Sequence, residues 1–167
     1  MKKYILLLAF LLNCKSDDKI VSVKFSPKGG ITETIVNTIS EADTSVRVQA
    51  FSFTSKAIAN ALIEAKTSGK TIEVIMDREN LYNKSSVLKL LREHDVTIFI
   101  DDKHAIAHNK IMLIDEDKIF TGSFNFTKGG EEHNAENSIL IQDKNTASLY
   151  LDNWMRHKNH SYEYKDK

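Results

Sequence analysis

His108 and Lys110 bring together an imidazole able to act as nucleophile or base and an ammonium able to neutralise an anion, two residues apart. On a β-strand, positions two apart project from the same face, so both groups can meet one phosphate while Asn109 and Ile111 point away. A second group follows in Gly122-Ser123-Phe124-Asn125. Gly122 permits close backbone approach, and Ser123 and Asn125, again two apart, can offer hydrogen bonds to phosphate oxygens from a neighbouring strand end. Ser123 can equally serve as a local turn cap. Asp115 lies seven residues after His108, and its opposite parity marks it as a structural or orienting carboxylate rather than a phosphate contact. His104 and His108, four apart, would form a metal-ligand pair only on a helix. This stretch reads as loop and strand, so no metal site is expected.

The elements that must position these groups alternate in type. Residues Ile20–Phe25 follow a period of two and predict a strand, closed by the turn signal Pro27-Lys28-Gly29-Gly30. A helix over 32–42 places Ile31, Ile35 and Ile39 on one face. A second strand is expected over 45–53, and Thr54 or Ser55 caps a helix carrying Ile58, Ala61, Leu62 and Ala65 at helical spacing, stopped by Gly69. Strand 71–76, helix 85–93 and strand 96–100 follow. The rhythm then changes. Strands 110–114 and 118–121 flank the acidic turn Asp115-Glu116-Asp117, and strand 138–142 leads to a closing helix over 146–157. This order predicts an α/β fold with a mixed, mostly parallel β-sheet flanked by helices on both faces.

The 167 residues, 41% hydrophobic and 28% charged, fit one globular domain and exclude a disordered or fibrous chain. Lys and Arg number 23 and Asp and Glu number 23, so no net field draws the molecule to nucleic acid or an acidic membrane, and an anionic substrate must be held locally. The single Cys excludes an intramolecular disulfide. Met1-Lys2-Lys3, nine apolar residues from Tyr4 to Leu12, and Cys14 read as an export signal, the apolar run being well short of the ~20 residues that span a bilayer. Leu11-Leu12-Asn13-Cys14 resembles a lipoprotein signal in which Cys14 becomes the lipid-modified first residue. A plain signal peptide or an uncleaved anchor are the alternatives. Loss of residues 1–13 removes Lys2 and Lys3 and leaves 21 basic against 23 acidic residues, a net charge of −2. The expected boundaries are a signal over 1–13, a polar tether over 14–19, a catalytic domain over 20–160 and a polar tail over 161–167. The protein is expected to be exported, as a membrane-anchored lipoprotein or otherwise periplasmic or secreted.

His108-Asn109-Lys110, then Asp115, then Gly122-Ser123-Phe124-Asn125 resembles the signature of the phospholipase D superfamily, with every fixed position filled. Six such positions would coincide by chance in a chain of this size on the order of once in 10⁵ to 10⁶, so the match is a signal. Further likeness lies in residues 48–54, in Gly69 and Asp77, in Asn125-Phe126-Thr127 and in Asn134-Ala135-Glu136-Asn137, and it is closest to the small branch with one motif, which includes bacterial endonucleases and the mitochondrial cardiolipin hydrolase type. The resemblance implies a phospholipase D-like fold and a metal-independent, cofactor-free phosphodiesterase. His108 would form a covalent phosphohistidine while Lys110 and Asn125 stabilise charge on the non-bridging oxygens, and Glu136 would hydrogen-bond the His ring. A second motif normally supplies the acid. His94, His104, His133, His157 and His160 all lack a Lys two residues later, so a homodimer with a shared site is expected.

Three functions fit. A largely sequence-independent endonuclease comes first, from the single-motif likeness and the short chain. A phospholipase D removing lipid head groups comes second, from the anchor that would hold the site at a membrane. An inactive surface lipoprotein that acts by binding comes third, against the intact His108, Lys110 and Asn125.

Overall fold

Alternating aliphatic residues give the central strands two apolar faces, and the computed structural model, which describes residues 19–165, shows both covered. The elements run β1 (Ile20–Phe25), α1 (Ile31–Ser40), β2 (Ser45–Ala50), α2 (Lys56–Thr67), β3 (Thr71–Asp77), α3 (Leu88–Glu93), β4 (Thr97–Asp101), β5 (Lys110–Ile114), β6 (Lys118–Gly122), α4 (Lys128–Glu132), β7 (Asn137–Gln142), α5 (Lys144–His160) and β8 (Tyr162–Glu163). On one face Val46, Val48, Ile72, Val74, Ile98 and Met112 pack against Ile31, Ile35 and Ile39 of α1, Ile58 and Leu62 of α2, and Leu88 and Leu91 of α3. The opposite parity, Ile75, Ile111, Leu113 and Ile119, packs against Ala147 and Trp154 of α5. Each such side chain stabilises the fold by about 1.5–3 kcal/mol through removal from water. Trp154 also donates its indole N–H to the Val48 carbonyl at 3.0 Å, which fixes α5 across the sheet.

The sheet has eight strands in the order β1-β7-β6-β5-β2-β3-β4-β8. It is mixed, as expected, but the expectation of mostly parallel pairing is corrected: only β2/β3 and β3/β4 are parallel, and the other five pairs are antiparallel. After β4 the chain returns beside β2 rather than beyond β4, and β5, β6 and β7 form a meander whose connections reverse direction. β1 lies at the far edge on β7, so α1 crosses from that edge to the middle of the sheet.

Local differences have local causes. β2 ends at Ala50, three residues before the expected strand end: the Phe51 N–H makes one further bond in register to the Asn109 carbonyl at 3.1 Å, and the chain then leaves β5 for Phe126, whose carbonyl accepts the Thr54 N–H at 3.0 Å. The expected helix over 85–93 shrinks to α3, preceded by a 3-10 turn at Arg78–Leu81 that Asp77 caps through the Glu79 N–H at 2.8 Å. Ser55, one of the two expected caps, accepts the Ile58 N–H at the start of α2. α4 and β8 are too short to leave a periodic signal. β8 falls in the expected polar tail yet pairs with β4 through Ile100↔Tyr162 and Phe99↔Glu163. The signal over 1–13 and Cys14 lie outside the described residues. Among the described residues no helix is long and apolar enough to cross a membrane.

Candidate active site

β5 begins at Lys110, so His108 stands in the extended segment just ahead of it. Asp77, at the end of β3, accepts the Ala107 N–H at 2.6 Å and holds that segment against the sheet. The exposed His108 ring packs on Phe51 with centroids 4.7 Å apart, and the Lys110 ammonium lies 5.1 Å from the same Phe51 ring. Lys110 donates to the His108 carbonyl at 2.6 Å. The imidazole and the ammonium thus share Phe51 as a neighbour, while the ammonium itself is bonded to the His108 backbone rather than to its ring. Lys110 is buried, and burial lowers its pKa while the charge of Glu136 partly offsets that effect.

The second group sits where β6 gives way to β7. Gly122 has φ 149°, and a Cβ there would run into the Asn137 carbonyl, so glycine is required for the close approach of the two strands. Ser123 donates its hydroxyl to one Glu136 oxygen at 2.5 Å and accepts the Asn137 N–H at 3.1 Å. Asn134 donates to the other Glu136 oxygen at 3.1 Å, and the Ser26 hydroxyl accepts the Glu136 N–H at 3.1 Å. Both Glu136 oxygens are thus occupied by neutral donors. The implied hydrogen bond from Glu136 to the His108 ring is not formed, because nearer groups take the carboxylate and the ring lies on Phe51. Ser123 positions Glu136 rather than presenting a free hydroxyl. Asn125 Oδ1 is buried and has no hydrogen-bond partner among the described residues; the Asn125 group able to donate to a phosphate oxygen is its Nδ2 amide.

Asp115 is elsewhere. It follows β5 at the end opposite Lys110, about 17 Å along the strand at the usual rise per residue. Its carboxylate accepts backbone N–H groups from Asp43 at 3.0 Å, Thr44 at 2.7 Å and Ser45 at 3.0 Å. Burial opposes ionisation, but these donors outweigh it and hold the pKa below the ordinary value. Asp115 is therefore removed from the reacting groups and assigned to structure, as its parity suggests. Two supporting residues escape a reading of the sequence. Ser26 and the buried Asn80 act through hydrogen bonds across the fold: the Ser26 hydroxyl donates to the Asn134 carbonyl at 2.9 Å and accepts the Glu136 N–H, and Asn80 donates to the Phe51 carbonyl at 2.7 Å. No local spacing announces such a contact.

The imidazole, ammonium, amide and carboxylate of these two groups are of the types that phosphoryl transfer uses. Comparisons agree with it. A family model described as "Cardiolipin synthase, PLD-like domain" matches residues 35–158. "Phospholipase D" of Rickettsia conorii is 41% identical over 138 residues, covering 83% of this chain and 69% of that protein. "Mitochondrial cardiolipin hydrolase" of Mus musculus is 26% identical over 115 residues, covering 69% of this chain and 52% of that protein. The crystal structure of the phospholipase D family member Nuc from Salmonella typhimurium superposes with a TM-score of 0.82 at 30% identity, covering 87% of this chain and 97% of that one. From its motif, its sheet and these relatives together, the chain belongs to the phospholipase D superfamily of phosphodiesterases.

Proposed function

We propose that the protein hydrolyses phosphodiesters through a covalent phosphohistidine on His108, as a homodimer whose two copies share one reaction centre. The observation that supports this reading above all others is the exposed imidazole and buried ammonium converging on the Phe51 ring. A ring nitrogen of His108 bonds to phosphorus as the bond to the leaving oxygen breaks, and Lys110 with Asn125 stabilises charge on the non-bridging oxygens. The leaving oxygen needs a proton. The other histidines are engaged elsewhere: His94 with the Leu90 carbonyl, His133 with Glu132, and His104, His157 and His160 with Asp101. We assign the acid to His108 of the partner subunit. Water then attacks phosphorus, releasing the phosphomonoester and freeing His108.

Phospholipid is the substrate class placed first. Sequence alone leans only slightly to nucleic acid, its charge balance already counting against that reading, and two further observations favour phospholipid. Ile106, two residues ahead of His108, is 55% exposed, an apolar side chain near the candidate nucleophile that a lipid interface could take up. Relatives named phospholipase D share 40–42% identity with the chain. A lipid-modified Cys14 with its short tether belongs to the same reading, since it holds the domain at a membrane. Nucleic acid is the second reading, favoured by exposed Tyr82 and Lys84 on one cavity wall, an aromatic face beside a cation.

The test uses the full chain in detergent, assayed in parallel on phospholipid vesicles, single-stranded DNA and RNA, with His108→Ala as control. Head-group release by the unaltered protein is expected, with a loss of about 10³-fold or more in the variant and no change in melting temperature, since the ring is exposed. Cleavage of nucleic acid alone would promote the second reading. Variant activity within about tenfold of the unaltered protein would overturn the phosphohistidine.

A further inference from the structure

Three of the six histidines converge on one carboxylate that the catalytic reading does not use. Asp101, the last residue of β4, is fully buried. His157 Nδ1 lies 2.8 Å from its Oδ2, His160 Nε2 lies 3.2 Å from the same oxygen, and His104 Nδ1 lies 3.0 Å from each of its two oxygens. His104 belongs to the loop after β4, whereas His157 and His160 share the last turn of α5. His108 takes no part, so the pair considered from sequence spacing is replaced by histidines from a different element.

We propose that Asp101, His104, His157 and His160 form a structural zinc site. The Asp101 carboxylate takes three ring nitrogens and the Lys103 N–H, which fills its four lone-pair positions, and a cation would take the place of the ring protons that now face it. The four ligand atoms all lie within 4.8 Å of one another. Tetrahedral zinc with bonds of about 2.0–2.1 Å places its ligand atoms about 3.3 Å apart, so the rings withdraw from Asp101 by a few tenths of an ångström while the most widely spaced ligand atoms close by up to about 1.5 Å. His104 and His160 have room to do so, with side chains 45% and 32% exposed, and they leave a path for the ion. The last turn of α5 adds the negative end of the helix dipole. Three imidazoles and one carboxylate complete four-coordination from the protein alone, which marks a structural ion rather than a hydrolytic one. It would clip α5 to β4 and to the loop that leads from Asp101 into His108.

The experiment measures zinc content, zinc affinity by chelator competition, cobalt spectra and melting temperature on the full chain, on His104→Gln, on His160→Gln, on the double variant and on His108→Ala. One zinc per chain is expected, with the intense visible bands of four-coordinate cobalt. Affinity should fall at least about tenfold in each single variant at the cluster and stay unchanged in His108→Ala. Zinc should raise the melting temperature of the unaltered chain and not that of the double variant. The site is overturned if the double variant keeps its zinc, if His108→Ala loses it, if cobalt shows a six-coordinate spectrum, or if zinc leaves the melting temperature of the unaltered chain unmoved.

Discussion

Lys110 and Glu136 form an electrostatic pair whose sign can be read in the pH dependence of turnover. Burial lowers the Lys110 pKa and the Glu136 charge raises it again. Glu136→Gln keeps an oxygen for Ser123 and an amide in the same place, but removes the charge. The Lys110 pKa should then fall further, so the alkaline limb of the kcat profile should move to lower pH, with kcat itself down about 10- to 100-fold. An alkaline limb that stays in place would mean that Glu136 acts on some other group. At this scale the candidate residues were legible in the sequence, because His108 and Lys110, and Ser123 and Asn125, sit at fixed short spacings, although the structure turns Ser123 to Glu136. The partners of Glu136 were not, since Ser123, Asn134 and Ser26 reach it from three separate segments.

At the scale of elements, the β5–β6 turn is tied to the start of β2 by Asp115, which sits at φ 54° and gathers three backbone N–H groups. Asparagine there keeps one acceptor and loses the charge, so Asp115→Asn should cost about 1–2 kcal/mol at neutral pH while leaving kcat unchanged. The ionised form is favoured by folding, so its contribution is complete above the unfolded pKa of about 4 and is lost as pH falls through the lower folded value. Urea melts of both proteins should therefore differ at pH 7 and converge in acid. A drop in kcat with stability intact would return Asp115 to the reaction. The strands and long helices were legible as elements because their periods repeat, and Ser55 announced α2 as a cap. α4 and β8 were not, being shorter than the pattern needed to identify them.

At the scale of the whole molecule, the proposed shared site would make activity depend on pairing. Mixing unaltered chains with an excess of His108→Ala chains should depress activity below that of the unaltered fraction alone, because most of the remaining sites would then hold one histidine. Light scattering should show a dimer, and a fully active monomer would remove the shared acid. The short-range facts of this protein follow from sequence: which residues can do chemistry, which segments are strands or helices, and which side of each is apolar. These depend on spacings of two to four residues that the backbone geometry alone converts into faces. Tertiary structure alone decided the rest. It placed β5 antiparallel beside β2, carried β1 to the opposite edge, took Asp115 away from His108, set Phe51 beneath the nucleophile and gathered His157 and His160 onto Asp101. Each of these outcomes joins residues distant in the chain through the packing of two faces at once, and no local period records which strand a strand will choose as its neighbour.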